Sequence, residues 1–245
     1  MEPPSVPQAS LPSFDLETEM MDLHGVPVAG IDEAGRGPWA GPVVVAAVVL
    51  NPDRIPEGLN DSKLLSPQAR EDRYDEIVAM AHVSVVIGQV RRIDRDNILK
   101  ATLWGMRTAF RSLEIANATA LIDGNAVPKR FPGAVRAVIG GDGKSLSIAA
   151  ASIVAKVTRD RIMVKLAKRY RGYGWENNKG YGTPEHASGI ERHGLCPHHR
   201  RSFAPIQRIL AERGDWATSD DLATSDDLAA SGKLRTRVDF SDIGG

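Results

Sequence analysis

Four carboxylates stand where apolar stretches of this chain give way to glycine-containing turns. Asp32 and Glu33 are adjacent and follow the apolar residues 28–31, while Asp123 and Asp142 come at the ends of later apolar stretches. If those stretches are neighbouring strands, their ends gather four carboxylates in one cleft. Carboxylate oxygens suit hard divalent cations, magnesium or manganese rather than zinc. Two such ions about 3.5–4 Å apart would hold the attacking and leaving oxygens of a phosphodiester displacement.

Each of these acids also has a simpler interpretation. Asp123 and Asp142 lie beside glycines, and aspartate is common at turns because its side chain bonds nearby backbone N–H groups. Asp32 and Glu33 could be solvated charges at a strand-to-turn junction. The apolar residues 43–50 predict a buried neighbouring strand, however, and ionised carboxylates between buried strands are costly unless cations neutralise them. The four acids taken together therefore favour the metal site.

Apolar patterning predicts the elements that would position these acids. We expect strands at residues 26–31, 43–50, 83–90, 119–122 and 135–139, the first two forming an antiparallel pair. We expect helices from Ser66 to about residue 81, over 99–113 with Asp94 and Asp96 at its start, after a cap at Ser145 or Ser147, and over 205–213. This order predicts an α/β fold in which a mixed sheet is flanked by helices.

The two ends of the chain differ in composition from its body. The 245 residues suit one domain with appendages. Residues 1–24 are proline-rich and acidic, and we expect a disordered leader there. Residues 25–213 are the predicted folded domain. Residues 214–245 are predicted to form an acidic low-complexity tail, in which the sequence Ala-Thr-Ser-Asp-Asp-Leu occurs twice.

Charge distribution and cysteine content indicate the class of partner and the compartment. The whole chain holds 31 basic and 31 acidic residues, but residues 156–201 hold eleven Lys and Arg against four Asp and Glu. Such a basic stretch suits a polyanionic partner. The lone Cys196 cannot form an internal disulfide, and no stretch has the pattern of a membrane span or a signal peptide. We therefore expect a soluble cytoplasmic protein with no membrane partner.

Five motifs resemble one family, the bacterial type 2 ribonucleases H, or ribonuclease HII. They follow the family's order and lie at residues 30–38 (GIDEAGRGP), 61–64 (DSKL), 122–124 (IDG), 149–160 (AAASIVAKVTRD) and 178–183 (NKGYGT). The first and the fourth are highly specific when they occur together. The resemblance covers residues 25–212 and implies a ribonuclease H-like fold with a small helical C-terminal extension, so that residues 25–213 are the catalytic domain.

The activity that the resemblance implies is that of a metal-dependent endonuclease. Such an enzyme cuts the RNA strand of RNA–DNA hybrids and nicks duplex DNA 5′ to a single embedded ribonucleotide, leaving a 3′-hydroxyl and a 5′-phosphate. The family's carboxylates fall on Asp32, Glu33, Asp123 and Asp142, which would bind Mg²⁺ or Mn²⁺ as a two-metal site. We choose Asp142 over Asp160, because Asp160 lies within the long helix between two arginines and is better explained as an ion-pair residue. We expect a monomer.

The resemblance also implies which residues recognise the substrate. The backbone of Gly35, Arg36 and Gly37 would sense the 2′-hydroxyl, the group that distinguishes RNA from DNA. Tyr181 matches the family's substrate-reading tyrosine, whose ring could pack on the next deoxyribose; alternatively it is only an aromatic residue of a glycine-rich turn. Lys63 is a candidate phosphate ligand, and so are Lys156, Lys179 and Arg36, although Lys156 could instead be structural.

Other functions compete with this one. His186, His193, Cys196, His198 and His199 could indicate zinc, but their spacings fit no closed zinc pattern. A simpler interpretation is a surface that meets phosphate with histidines and with Arg192, Arg200 and Arg201. A resolvase or transposase would share the carboxylates but act on DNA only. A non-catalytic hybrid-binding module would be expected to have lost a carboxylate, and all four are present.

Overall fold

A mixed β-sheet forms the centre of the molecule. The computed structural model describes residues 11–213 and the short strand Leu234–Arg235. The strands are β1 (Val28–Ala34), β2 (Val43–Val49), β3 (His82–Gly88), β4 (Thr119–Asp123), β5 (Val135–Val138) and β6 (Leu234–Arg235), in the order β5-β4-β1-β2-β3-β6. β1 to β3 are antiparallel neighbours, whereas β4 runs parallel to β1 and β5 parallel to β4. The expected mixed sheet with an antiparallel first pair is confirmed.

Helices cover both faces of the sheet. They are α1 (Asp15–His24), α2 (Pro67–Met80), α3 (Val90–Asp96), α4 (Ile98–Ser112), α5 (Leu146–Arg169), α6 (Trp175–Asn178), α7 (Pro184–His193) and α8 (Ala204–Arg213), with a 3₁₀ turn at Gly141–Gly143. The last three make up the small helical C-terminal extension that the sequence predicted. None of the described helices combines the length and the apolarity needed to cross a bilayer.

Helix α5 packs closely on the face of the sheet beneath β1 and β2. Its first half consists of buried alanine, serine, isoleucine and valine residues, and Ser145 caps its N-terminus by accepting a hydrogen bond from the Ile148 N–H at 3.1 Å. Gly30 on β1 makes this contact possible, because a side-chain carbon there would overlap the backbone of Ser147 and Ile148. Since β1 also carries Asp32, the close contact fixes the depth at which that carboxylate lies.

Helix α4 covers the opposite face. Met106 and Phe110 from its predicted apolar stripe are buried with residues of β1, β2 and β4, while Leu99 at its start is exposed. Because helices pack on both faces, all seven residues of β2 are buried. This explains why the sequence of β2 is a continuous apolar run rather than an alternating pattern.

The sequence predicts that Asp94 and Asp96 begin helix α4, and the structure shows that they do not. They belong to the separate helix α3, and α4 begins after Asn97, whose side-chain oxygen accepts a hydrogen bond from the Lys100 N–H at 3.0 Å. Asn97 has a φ angle of 69° and a ψ angle of 163°, a combination that residues other than glycine rarely adopt. The turn at this asparagine separates the two helices.

The expectation of a disordered leader over residues 1–24 is wrong for α1. Glu17 is fully buried, and its Oε1 accepts hydrogen bonds from the Ser145 hydroxyl at 2.5 Å and from the Ser147 N–H at 2.7 Å. A carboxylate at this position satisfies free N–H groups of α5 and interacts favourably with the helix dipole. The folded domain therefore includes α1, while residues 1–10 lie outside the described part.

The expected acidic tail, residues 214–245, lies almost entirely outside the described residues. The exception is β6, whose two residues pair antiparallel with Ser84 and Val85 of β3. The prediction of a low-complexity tail therefore stays a prediction.

Replacing Glu17 with alanine should destabilise the protein by about 1–3 kcal/mol, because the change leaves the buried Ser147 N–H without its acceptor. Urea unfolding followed by circular dichroism would measure this change in the free energy of unfolding. Glu19→Ala is the matched control on the same helix, since Glu19 forms an exposed ion pair with Arg136 that contributes little. Equal stabilities of the two variants would show that the buried carboxylate does not hold α1 to α5.

Candidate active site

Three neighbouring strand ends bring the four sequence-predicted carboxylates to one edge of the sheet. Asp32 and Glu33 lie near the C-terminal end of β1, and Asp123 is the last residue of β4. Asp142 lies in the 3₁₀ turn that follows β5. Because β1, β4 and β5 are parallel and adjacent, their C-terminal ends meet at this edge. The structure therefore brings the four predicted acids to one edge, while their role as a metal site stays a prediction.

Asp32 is the most buried acid of the group, with 5% of its surface exposed. Burial raises the pKa of its carboxyl well above the ordinary value, and the negative charges of Glu33, Asp123 and Asp142 raise it further. The hydrogen bond that its Oδ1 accepts from the Glu33 N–H, at 2.6 Å, acts in the opposite direction. Asp32 is thus close enough to the other three carboxylates for their charges to act on it, and the hydrogen bond from Glu33 does not fully offset their effect on its pKa.

Two further contacts hold the acids in place. Asp123 accepts a hydrogen bond at its Oδ1 from the Gly141 N–H at 2.7 Å, which ties β4 to the turn that carries Asp142. Burial raises the pKa of Asp123 despite this bond. Burial also raises the pKa of Glu33, although the Arg36 guanidinium, 3.2 Å from Glu33 Oε1, opposes the shift.

Lys63 reaches into the acidic edge from the loop between β2 and α2. Its Nζ lies 3.2 Å from Asp142 Oδ2 and 3.4 Å from Asp61 Oδ1. Burial alone would lower the pKa of Lys63, but the charge and hydrogen bond of Asp142, together with Asp61 and Asp32, raise it. One lysine and the partly exposed Arg36 cannot balance four carboxylates, so the edge keeps a negative surplus.

The donor set fits a hard divalent cation, although the side chains are not in a closed coordination geometry. Glu33 Oε2 is buried and accepts no hydrogen bond in the described part of the chain. Among residues 11–213, no group of three or more His, Cys, Asp or Glu side chains is arranged to hold a metal ion. Loading a cation would therefore require at least one carboxylate to turn inward, while the backbone already carries all four to the same edge.

The predicted recognition residues lie next to one another beside this edge. The loop of Gly35, Arg36 and Gly37 follows β1 directly, and Gly35 has a φ angle of 96°, which favours glycine. Tyr181 is 48% exposed, and a side-chain carbon built on Gly37 would lie 3.6 Å from its ring. The Trp39 N–H also donates to the Gly180 carbonyl at 2.8 Å, linking the two loops. The structure thus joins two motifs that are about 145 residues apart in the chain.

Two of the histidines that the sequence placed on a phosphate-binding surface, His186 and His199, are instead buried behind Tyr181, whereas His193 is exposed. The Trp175 Nε1–H donates to His186 Nε2 at 3.0 Å, and the Cys196 N–H donates to His199 Nδ1 at 3.0 Å. His186 therefore carries its proton on Nδ1, 2.9 Å from the Tyr181 carbonyl, and His199 carries its proton on Nε2. Burial lowers the pKa of both, that of His199 to about 3. Both rings are neutral supports of the Tyr181 loop.

Arg200 does not lie on the phosphate-binding surface to which the sequence assigned it. It is fully buried and donates to backbone carbonyls of the loop after β1. Arg159 is also buried and donates to the carbonyls of Ala40, Pro42 and Lys179. Sequence reasoning missed both supporting roles. Arg159 lies inside the highly specific alanine-rich motif, which was the one available signal.

Asp160, Lys156 and Lys179 have partners outside the four carboxylates. Asp160 forms an ion pair with Lys156 at 2.7 Å, as expected from its place in α5, and Lys156 is therefore not in the carboxylate group. Lys179 lies on the loop before Tyr181, and its Nζ bonds the Glu176 carbonyl. The histidines and Cys196 form no metal site among the described residues.

Comparisons with known proteins find a family model, related sequences and a similar solved structure. A family model described as Ribonuclease HII matches residues 29–206. A ribonuclease HII of Azorhizobium caulinodans is 54% identical over 195 residues, which cover 80% of this chain and 75% of that protein. A ribonuclease HII of Xanthobacter autotrophicus is 55% identical over 181 residues, covering 74% and 72%. The crystal structure of ribonuclease H2 from Pyrococcus horikoshii OT3 superposes with a TM-score of 0.66 at 30% identity, covering 76% of this chain and 97% of that one.

Replacing Asp32 with asparagine should raise the melting temperature of the metal-free protein. Above the ordinary aspartate pKa of 3.8 this carboxyl is ionised in the unfolded protein, whereas burial disfavours the ion in the folded protein, so Asp32 costs folding free energy. Asparagine carries no charge and keeps an oxygen for the Glu33 N–H. We expect an increase of roughly 2–4 °C, which about 1 kcal/mol produces in a domain of this size. Calorimetry at pH 8 with a chelator would measure it.

The pH dependence provides the control for this expectation. The difference between Asp32→Asn and the wild type should shrink as the pH falls from the raised pKa of Asp32 towards 3.8, the ordinary pKa of an aspartate, because below that value the carboxyl is protonated in both the folded and the unfolded protein. Asp160→Asn removes a compensated charge and should not stabilise. An Asp32→Asn variant no more stable than the wild type at pH 8 would contradict an uncompensated charge.

Proposed function

The chain belongs to the ribonuclease HII family, whose members are endoribonucleases acting on the RNA of RNA–DNA hybrids, and we propose that it is a metal-dependent enzyme that also nicks duplex DNA 5′ to single ribonucleotides. The observation that carries the proposal is the negative surplus formed by Asp32, Glu33, Asp123 and Asp142 at one sheet edge, directly beside a glycine loop. Phosphodiester cleavage needs such a cation site close to a group that reads the sugar.

Enzymes of the ribonuclease H type are metal-dependent, and we propose Mg²⁺ or Mn²⁺ as a two-ion site for this chain. Asp32, Glu33, Asp123 and Asp142 would hold the ions, and the orphaned Glu33 Oε2 supports this assignment. When bound, the ions would activate the attacking water and stabilise the leaving 3′-oxygen, giving a 3′-hydroxyl and a 5′-phosphate. Lys63, which now bonds Asp142, would then turn to the scissile phosphate.

We assign recognition of the ribonucleotide to the two adjoining loops. The backbone of Gly35, Arg36 and Gly37, of which the last two residues are exposed, would bind the 2′-hydroxyl, while the half-exposed ring of Tyr181 would pack on the following deoxyribose. One ribonucleotide then offers every contact that the site needs. We further propose that the protein acts as a cytoplasmic monomer in the excision of ribonucleotides from DNA.

The proposal predicts a single nick in a DNA duplex that carries one ribonucleotide. With Mg²⁺ the cut should fall on the 5′ side of that residue, and an all-DNA duplex should stay intact. Asp142→Asn should lower the rate by a factor of about 10³ or more, because several kcal/mol of transition-state stabilisation depend on the ions. Denaturing gel electrophoresis of labelled duplexes would show the position of the cut and the rate.

Binding provides the control for that experiment. Asp142→Asn should still bind an RNA–DNA hybrid, measured by fluorescence anisotropy, since the variant keeps the recognition loops. A variant that cleaves at nearly the wild-type rate would remove Asp142 from the site. Cleavage of the all-DNA duplex would instead favour a DNA-directed nuclease.

Tyr181 should affect the two kinds of substrate differently. Tyr181→Phe removes one hydroxyl contact and should cost on the order of 1 kcal/mol of transition-state binding. Tyr181→Ala also removes the packing surface and should cost about 1–3 kcal/mol more, by analogy with aromatic–base stacking. The loss in kcat/KM should be greatest with a single ribonucleotide, because a uniform hybrid offers many registers. An equal loss on both substrates would make Tyr181 a structural residue.

A further inference from the structure

Arg200 is a fully buried arginine whose guanidinium is held by backbone oxygens. Its Nε donates to the Gly41 carbonyl at 2.9 Å and its Nη1 to the Arg36 carbonyl at 2.9 Å. Its Nη2 donates to the carbonyls of Gly35 at 2.6 Å and Pro42 at 3.2 Å. Over the described range 11–213, no carboxylate forms an ion pair with it. The four carbonyl dipoles are therefore its compensation.

Burying this cation is costly. Burial lowers the pKa of Arg200 to about 9, and the positive charge of Arg159 adds to the shift. The negative charge of Asp94 opposes this shift, but its carboxylate accepts hydrogen bonds from the N–H groups of Arg201 and Ser202 and not from Arg200. A buried charge without a counter-ion persists only where its hydrogen bonds are well made. The same bonds fix the direction of the peptide groups that accept them.

Two of those peptide groups belong to the glycine loop. Among the described residues there are no cis peptide bonds, and in a trans peptide the C=O points opposite to the N–H of the next residue. Because Arg200 holds the oxygens of Gly35 and Arg36, the N–H groups of Arg36 and Gly37 point away from the guanidinium. Both residues are exposed, and within the described part of the chain neither N–H has an acceptor.

We propose that Arg200 is a positioning residue for sugar specificity, which aims the N–H groups of Arg36 and Gly37 at the 2′-hydroxyl oxygen of the substrate. The proposal rests on the proposed function of the site. A deoxyribose has no oxygen there, so the two aligned donors would lose their acceptor. Gly37 lies against the ring of Tyr181, which places the donors beside the side chain assigned to the next sugar. Arg200 itself touches no substrate.

The shape of the guanidinium, and not only its charge, makes this alignment possible. Arginine offers five N–H donors in a planar fork, and Arg200 uses them on four carbonyls at once. A lysine keeps the charge but offers three donors from a single nitrogen. Arg200→Lys therefore preserves the buried cation while it releases part of the loop.

The test compares the affinities of two duplexes in a variant that does not cleave. In the Asp142→Asn background with Mg²⁺, we expect tighter binding of a duplex with one ribonucleotide than of the same duplex in all-DNA form. Adding Arg200→Lys should reduce this affinity ratio by about ten- to hundredfold, since hydrogen bonds to the 2′-hydroxyl lose their alignment, and leave the all-DNA affinity nearly unchanged. Fluorescence anisotropy measures both. A merely structural role would weaken both duplexes equally.

A core truncation serves as the control for lost stability. Met106→Ala creates a cavity on the opposite face of the sheet, where Met106 is 3% exposed, and should leave the affinity ratio unchanged. A folded Arg200→Lys variant with the wild-type ratio would overturn the proposal.

A measurement without any change at Arg200 keeps the proposal testable if that variant does not fold. In ¹⁵N-labelled Asp142→Asn protein, the amide resonances of Arg36 and Gly37 should shift more with the ribonucleotide duplex than with the all-DNA duplex. Equal shifts would overturn the proposal. A wild-type enzyme that cuts no ribonucleotide-containing duplex would contradict the proposed function, an outcome distinct from a failure of the proposal for Arg200.

Discussion

Mutual repulsion among four carboxylates is the constraint that the rest of the domain has to offset. Asp32 is nearly buried, and the charges of three other acids act on it. Because the four carboxylates repel one another, the surrounding fold must fix their positions. β1 does this from the middle of the sheet, between β2 and β4, with helices on both faces. The apolar core thus supplies the free energy that the acidic edge costs.

Helix α5 links the acidic edge to the loop after β1, residues 35–42, and to the loop that carries Tyr181. Its N-terminus follows the turn that carries Asp142, and it is held by the buried Glu17 of α1. Farther along, Arg159 donates to the carbonyls of Ala40 and Pro42 after β1 and of Lys179 before Tyr181. Helix α5 therefore adjoins the candidate metal ligands at its N-terminal end and contacts both of these loops from its middle. This accounts for the small residues of its first half, which let it pack directly on β1.

Much of the fold and the acidic group could be predicted from the sequence, because their signals are local. Apolar runs marked the first five strands, Ser66 marked the start of α2, and glycine-flanked acids marked the strand ends. Glu17 and Arg200 could not be found in this way. Each stands in a polar or basic stretch typical of a surface, and its burial depends on partners 128 to 165 positions away. A buried charge compensated by backbone carbonyls leaves no pattern in its own neighbourhood.

In the proposed function, the position of the cut relative to the ribonucleotide would depend on a short covalent connection. Asp32 and Glu33 lie on β1, and the exposed N–H groups of Arg36 and Gly37 follow within four residues. Because β1 is paired on both sides and Arg200 holds the loop carbonyls, the distance between the acidic edge and these two N–H donors has little freedom to vary. Precise placement of reacting groups contributes strongly to catalysis. If the proposed roles hold, cutting and sugar recognition lie at two ends of one short segment, and a change that loosens either end should disturb both.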